Sequence, residues 1–414
     1  MPETDHDTLT ITRLGLHGDG IAPGPVYAAR TLPGEEIRGE ITGDRIAAPK
    51  IVTPSPNRVK PPCPLYARCG GCALQHAADP FVAGWKRQVV IDALSAHGLS
   101  APMRPIRTSP PRTRRRATLS GRRLKKGTLL GFHTRASDTI VDIPGCEVLA
   151  PTITEALPSL AEFLPVLGSR KGELALAVTV SEAGLDVDIR GGKPLDPALR
   201  LSLTALTQKL DLARLSLDGE VFLTLRPPAQ RFGPASVTPP PGAFLQATAP
   251  GEAALLAAVA EAVGPARRIA DLFAGCGTFA LPLATRAEVH AVEGDADMLA
   301  ALDAGWRKTP GLSKVTTEAR DLFRRPLLPD DLARFGAVVI DPPRAGAEAQ
   351  TAALASAQPD RIAAVSCNPV TFARDAKMLC DAGYALRWVQ VVDQFRWSPH
   401  VELAAAFTAP HIQP

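Results

Sequence analysis

The chain is poor in aromatic and sulfur-bearing residues, with 3 Tyr, 4 Trp, 4 Met and 7 Cys among 414 residues. An odd number of cysteines argues against a disulfide framework and leaves metal binding, catalysis or burial for the thiols. No apolar run approaches the roughly 18 residues that a membrane span needs. Glu3, Asp5 and Asp7 stand where a secretory signal would be basic and then apolar. The expectation is a cytoplasmic protein with no membrane contact. A strong charge of one sign is missing too, since the formal net charge is only +4. No internal repeat of about 20–50 residues is visible.

What is present is enough apolar residue, 45% of the chain, to bury two or three cores at about 100–200 residues per domain. Forty prolines, about twice the usual share of roughly 5%, punctuate loops and linkers. Residues 8–52 alternate short apolar runs with Gly and Pro turns, the pattern of a small β-barrel of about five strands. "TPSPNRVKPP" follows as a stiff linker. "PFVAGWKRQVVIDALSAHGL" has helical spacing, with Phe81, Trp85, Val89 or Val90, Ala93 and Leu94 on one side and Gly98 as the stop. From 113 to 226 period-two segments predict a mixed, mostly antiparallel domain with helical inserts near 151–166 and 197–209. Beyond 240 strands and helices alternate, which predicts a parallel, doubly wound sheet. The expected division is a barrel over 1–55, a central domain over 56–232 and an α/β domain over 233–414, with the helix near 80–98 packing on the last.

Parallel doubly wound sheets bind ligands at the carboxyl ends of their strands, so chemistry is sought there. The first tip, "DLFAGCGTFALPLA", turns on Gly275 and Gly277 and leads into a helix. It also satisfies G-x-G-x-x-A with Ala280, which keeps a nicotinamide-dependent oxidoreductase in view. Asp271 inside the strand end, and Glu293 placed to hold ribose hydroxyls, favour S-adenosylmethionine. The fourth tip, "VVIDPPRAG", projects Asp341 before two stiffening prolines. The fifth, "IAAVSCNPVTFARD", lifts Cys367 out of an apolar strand. A thiol at that lip suits attack on C6 of a pyrimidine, which makes C5 nucleophilic enough to take a methyl group. The reaction then needs a base for the C5 proton. "VDQFRWSPHVELAAAF" supplies His400 and Glu402, and a carboxylate whose pKa is raised by burial suits the task better.

With "CPLYARCGGCALQH", "DLFAGCGTFALPLA", "DPPRAG", "SCNPVTFARD" and "HVELAAAF" in this order, the chain resembles the RNA 5-methyluridine methyltransferases over nearly its whole length. The likeness is to the branch that modifies 23S ribosomal RNA, and residues 9–41 are similar to that branch's RNA-binding TRAM barrel. The resemblance implies a Rossmann-like, S-adenosylmethionine-dependent methyltransferase domain with Cys367 as nucleophile and Glu402 as base. It implies methyl-donor contacts from Gln246, Phe273, Thr278, Glu293, Asp321 and Asp341, with Phe244 against the uracil. It also implies a [4Fe-4S] cluster on Cys63, Cys69, Cys72 and Cys146; a structural zinc on the same thiols is the alternative. Cys276 and Cys380 match no ligand pattern. Two departures stand out: Thr278 replaces the more usual Asn, and "FRWSPHVE" replaces the usual "FPHTxHVE".

Eight of the 46 Lys and Arg fall in "RTRRRATLSGRRLKK" at 112–126, which predicts a basic hairpin with Arg114, Arg115 and Arg116 on RNA phosphate. So few aromatics make base stacking sparse. The expected enzyme acts on RNA as a monomer. Its rivals are the same chemistry on transfer RNA and a non-catalytic RNA-binding assembly factor.

Overall fold

Residues 8–412 are described by the computed structural model, and strands begin at once. Leu9–Thr10, Glu36–Arg38 and Lys50–Thr53 form one small sheet, while Arg13–Leu14, Gly20–Ala22, Val26–Ala28 and Arg45–Ile46 form another. They close on buried Ile11, Ala22, Ala28, Ile37 and Ile46. The Gly and Pro turns cut the strands to two to four residues, so there are more and shorter strands than the apolar runs suggested.

The central sheet has seven strands, and only Gly184–Arg190 with Arg214–Leu217 pair in parallel. Its basic hairpin is Arg116–Arg123 with Thr128–His133. Helices Pro151–Leu160, Phe163–Leu167 and Pro197–Lys209 supply apolar side chains to its core, among them Leu160, Phe163 and Leu203.

The third sheet runs Val315–Ala319, Glu288–Glu293, Arg268–Leu272, Ala337–Ile340, Arg361–Ser366, Leu403–Thr408, Ala385–Asp393 and Arg107–Thr108. The first five are parallel; Leu403–Thr408 runs antiparallel between Arg361–Ser366 and Ala385–Asp393. Apolar cores cover both faces, as parallel strands require. This is the Rossmann-like, doubly wound α/β arrangement expected from the alternation.

The helix Asp79–Ser95 packs on this domain along a stripe that shares Val90 and Leu94 with its apolar spacing but adds Val82 and Lys86. Its buried residues are Val82, Lys86, Val90 and Leu94, with Val90 and Leu94 inside the core of the third sheet. Phe81, Trp85, Val89 and Ala93, one position earlier, are half-buried against the neighbouring cores and also line an open groove. A lysine on the buried stripe has a specific cause. Lys86 Nζ lies 2.6 Å from Asp393 Oδ1 and 3.1 Å from the Phe395 carbonyl, so the burial of one charge is matched by another.

Candidate functional site

The register of two strands builds the centre of the site. Ser366 pairs with Leu403 across antiparallel strands, so the next residues toward the open edge, Cys367 and Glu402, come face to face. Ile340 pairs with Ala364 and Leu272 with Ile340, which brings Asp341 and Phe273 to the same edge. Asn368 caps the helix Pro369–Asp381 through the Val370 N–H and donates to the Arg344 carbonyl at 2.9 Å, tying the Asp-Pro-Pro loop to the Cys367 strand.

Burial and mutual repulsion set the protonation of these tips. Glu402 is 3% exposed. Desolvation, then the Asp341 charge, push its carboxyl up to about 8, against a hydrogen bond from Gln394. Desolvation alone pushes Asp341 to about 7. Burial, Glu402 and Asp341 raise the Cys367 thiol, while Arg344 pulls it the other way. His400 is exposed, stacks edge-on to Phe395, and is lowered by partial burial and the cations Arg344, Lys86 and Arg114.

The first tip is shaped for a close ligand. Phe273 takes φ of 63°, a left-handed conformation rare outside glycine. Gly277 has φ of 95°, and a Cβ there would lie 2.9 Å from Leu281 and Leu302. Thr278 follows, half-buried, and the helix expected next is a single turn, Ala280–Leu283. Glu293 accepts from the backbone N–H groups of Gly275 (3.0 Å), Gly294 (2.6 Å) and Asp295 (3.0 Å). Asp321 accepts from the Phe323 N–H, and the Phe323 ring stands 5.5 Å from that of Phe273. Asp271 is fully buried, and burial with Asp341 nearby holds its carboxyl well up against a backbone hydrogen bond from Ala280.

Gln246, 2% exposed, meets this edge from the segment before the helix Ala249–Ala262, and its Oε1 accepts from Gln394 Nε2 at 2.6 Å. Phe244 is exposed with the Arg116 guanidinium 5.1 Å from its ring. Arg114, Arg115 and Arg116, expected on phosphate, lie half-buried on protein partners. Arg115 pairs with Glu252 at 2.5 Å and donates to the Gln246 carbonyl, Arg116 donates to the Leu245 carbonyl at 2.9 Å, and Arg114 packs over Phe395. The freely exposed charge of the hairpin is at its turn, on Lys125 and Lys126. An open groove of about 880 Å³ leads from Cys367 and His400 past Arg344, Trp85, His17 and Arg13.

Cys63, Cys69, Cys72 and Cys146 line one cavity of about 210 Å³ with Arg114 and Tyr66. Among the described residues no three His, Cys, Asp or Glu side chains are gathered tightly enough to hold a single metal ion. Burial raises the thiols of Cys69 and Cys146, and that of Cys72 to about 12. Gly70 lets the loop press on the hairpin, since a Cβ there would fall 2.6 Å from the His133 carbonyl. The same loop grips the catalytic edge: Ala73 and Leu74 donate to the Trp397 carbonyl at 2.9 and 3.0 Å.

Sequence alone pointed to neither Lys86 nor Gln394. Lys86 sits in a helix whose spacing reads as apolar and finds Asp393 only 307 residues on, and Gln394, though inside "VDQFRWSPHVE", reaches Gln246 and the Ala247 N–H only through the fold.

A family model described as tRNA (Uracil-5-)-methyltransferase matches residues 309–408. An uncharacterized RNA methyltransferase of Brucella suis is 45% identical over 99% of both chains. The 23S rRNA (uracil(1939)-C(5))-methyltransferase RlmD of Aeromonas salmonicida is 32% identical over 92% of this chain and 91% of its own. In fold the chain is similar to the tRNA (uracil-54, C5)-methyltransferase of Pyrococcus abyssi, solved with S-adenosyl-L-homocysteine, at a TM-score of 0.79, covering 98% of this chain and 100% of that one at 24% identity. Near-full-length identity of this order, on a doubly wound fold with a thiol and a carboxyl at its lip, places the chain in the RNA uracil-5 methyltransferase family.

Proposed function

We propose that this enzyme methylates C5 of a uridine in 23S ribosomal RNA, with Cys367 as nucleophile and Glu402 as base. The carrying observation is the pairing of Ser366 with Leu403, which sets the thiol and the carboxyl across from each other at one strand edge. S-adenosylmethionine would supply an electrophilic methyl group, and the residues at the first tips fit it. Glu293 suits the ribose hydroxyls, Phe273 and Phe323 offer apolar faces, and Gln246, Thr278, Asp321 and Asp341 offer polar contacts, with Phe244 exposed toward the base. Cys367 adds to C6 as the thiolate, making C5 nucleophilic. After methyl transfer Glu402 takes the C5 proton; that electron pair re-forms the C5–C6 double bond and the thiolate leaves.

The ribosomal target is supported by the Aeromonas relative and by the small N-terminal sheets, which have the size of a TRAM barrel. Lys125 and Lys126 would meet phosphate, with Arg114, Arg115 and Arg116 shaping the wall behind them. In this reading the enzyme acts as a monomer. No described helix is long and apolar enough to cross a membrane, and a ribosomal substrate would be met in the cytoplasm. The four-cysteine cavity is larger than one ion needs, and its donor set suits a [4Fe-4S] cluster held by Cys63, Cys69, Cys72 and Cys146, a clamp between loop and sheet.

The test is the behaviour of Glu402→Gln. It should complete methyl transfer yet keep a covalent enzyme–RNA band on a denaturing gel, because loss of a general base slows proton removal about 10²–10⁴-fold. The band should vanish when Cys367→Ala is added. Normal turnover in Glu402→Gln, with the band appearing in His400→Ala, would move the role to His400. Mass mapping of ribosomal and transfer RNA from a strain lacking the gene decides the target: one 5-methyluridine should be lost from 23S rRNA, and loss in transfer RNA alone would overturn that assignment.

A further inference from the structure

Gln394 is 3% exposed and sits between the strand Ala385–Asp393 and Glu402. Its Oε1 accepts from the Ala247 N–H at 2.7 Å and from the Thr248 N–H at 3.4 Å. Two backbone donors on the oxygen fix which end of the amide faces which way. The NH2 group therefore meets two acceptors, Gln246 Oε1 at 2.6 Å and the Glu402 carboxylate. Gln246, with its oxygen so engaged, keeps its own NH2 free to donate elsewhere. The backbone on either side of Gln394 is pinned, because Asp393 Oδ1 accepts from Lys86 and from the Phe395 N–H while Lys86 also donates to the Phe395 carbonyl.

Among the described residues Gln394 is the only side chain that donates a hydrogen bond to the Glu402 carboxylate. Of the other titratable neighbours, Asp341 opposes ionisation of Glu402, and Cys367, on the adjacent strand tip, is itself raised by Glu402. Arg344 pulls the Cys367 thiol toward ionisation, and Asp393 is already paired with Lys86. We propose that Gln394 is the positioning residue of the proton-removal step, its amide holding the Glu402 carboxylate across from Cys367 and tying it to Gln246. One side chain then sets both the base and a methyl-donor contact. The proposal rests on the assignment of Glu402 as base. In the step concerned the C5–H bond breaks, the proton passes to a Glu402 oxygen, the electron pair forms the C5–C6 double bond, and the C6–S bond releases the Cys367 thiolate.

Two variants of the full-length protein test this, with unmodified 23S rRNA transcript and S-adenosylmethionine as substrates. Gln394→Met keeps the length and removes the donor, and Gln394→Glu keeps the shape and puts an acceptor in its place. In both, release of the methylated RNA from its covalent adduct should slow about 10–100-fold at pH 7.5 and saturating S-adenosylmethionine, the range for a lost hydrogen bond to a buried charged group, and by more than methyl transfer slows. The acidic limb of the release rate should move up by about one pH unit, and raising the pH to about 9 should recover most of the rate. S-adenosylhomocysteine should bind Gln394→Met about 3–10-fold more weakly, because Gln246 loses its partner. A structural role alone would not move the limb. If release is slowed equally at every pH in both variants, or not slowed at all, the proposal is overturned. If Glu402→Gln itself accumulates no adduct, the base assignment fails, and that outcome is read without any Gln394 variant.

Discussion

Glu402 and Cys367 hold their protons more tightly than free side chains do, and for the same first reason, removal of water from around them. For Glu402 this has a consequence for stability. The unfolded carboxyl loses its proton near its ordinary value of 4.5, whereas the folded one keeps it to about 8. Between those values the unfolded state releases a proton that the folded state retains, so stability falls as pH rises through the window. At on the order of 1.4 kcal/mol per pKa unit the cost reaches a few kcal/mol by pH 8. Glu402→Gln, whose amide oxygen can accept the Gln394 hydrogen bond, should therefore melt above the native protein at pH 8. Thermal scans at pH 5, 6.5 and 8 should show the gap closing toward pH 5, and a gap independent of pH would contradict the raised carboxyl. Asp271, fully buried and with its carboxyl likewise raised, should respond in the same direction in Asp271→Asn. Cys367 and Glu402 were legible as residues because a thiol after one apolar strand and a carboxyl before another are conspicuous. Their raised pKa values depend on neighbours the chain order does not reveal.

At the scale of elements, the helix Asp79–Ser95 shows how far periodicity reaches. Apolar spacing with Gly98 as a stop was enough to place a helix, yet the face it buries passes through Lys86. No hydrophobicity pattern selects a lysine for a core. It is there because Asp393, 307 residues away, supplies the opposite charge at 2.6 Å. Lys86→Met should cost about 3–5 kcal/mol, since it strands a buried carboxylate, and adding Asp393→Asn should recover part of that loss in denaturant titrations. The cysteine loop makes a second case. Three of its thiols are close together in sequence, but Cys146 and Arg114 join them only through the central sheet. Anaerobically purified protein should be brown with about four irons per chain, and Cys69→Ala should bleach it. Colourless protein carrying one zinc would assign the cavity to that metal. Because Ala73 and Leu74 hold the Trp397 carbonyl, disturbance of the loop should also lower methylation even with Cys367 and Glu402 intact.

Across the whole molecule, one basic stretch divides in two: Arg114, Arg115 and Arg116 brace the segment beside Gln246 and Phe395, while Lys125 and Lys126, the residues proposed to meet RNA, stand exposed at the turn. Lys125→Ala with Lys126→Ala should weaken binding at every RNA sequence and lower the salt slope by about one for each phosphate no longer neutralised. Arg115→Ala removes half of an ion pair only 14–15% exposed and frees the Gln246 carbonyl. It should instead lower thermal stability and S-adenosylhomocysteine affinity and leave the salt slope unchanged, which filter binding across a salt series would measure. Local order determined a great deal here: the alternation of strands and helices after residue 240, the glycine turn at 275–277, the thiol at 367 and the carboxyl at 402 are all set by neighbours in the chain. Tertiary structure decided which of these meet. Glu402 precedes its strand, and it reaches the same lip as residues that follow theirs only because Leu403–Thr408 runs antiparallel in an otherwise parallel set. A run of apolar residues specifies a strand but not its direction in a sheet. Direction is settled by the packing of the whole domain, and with it the opposition of Cys367 and Glu402, the clamp by Gln394 and the buried Lys86.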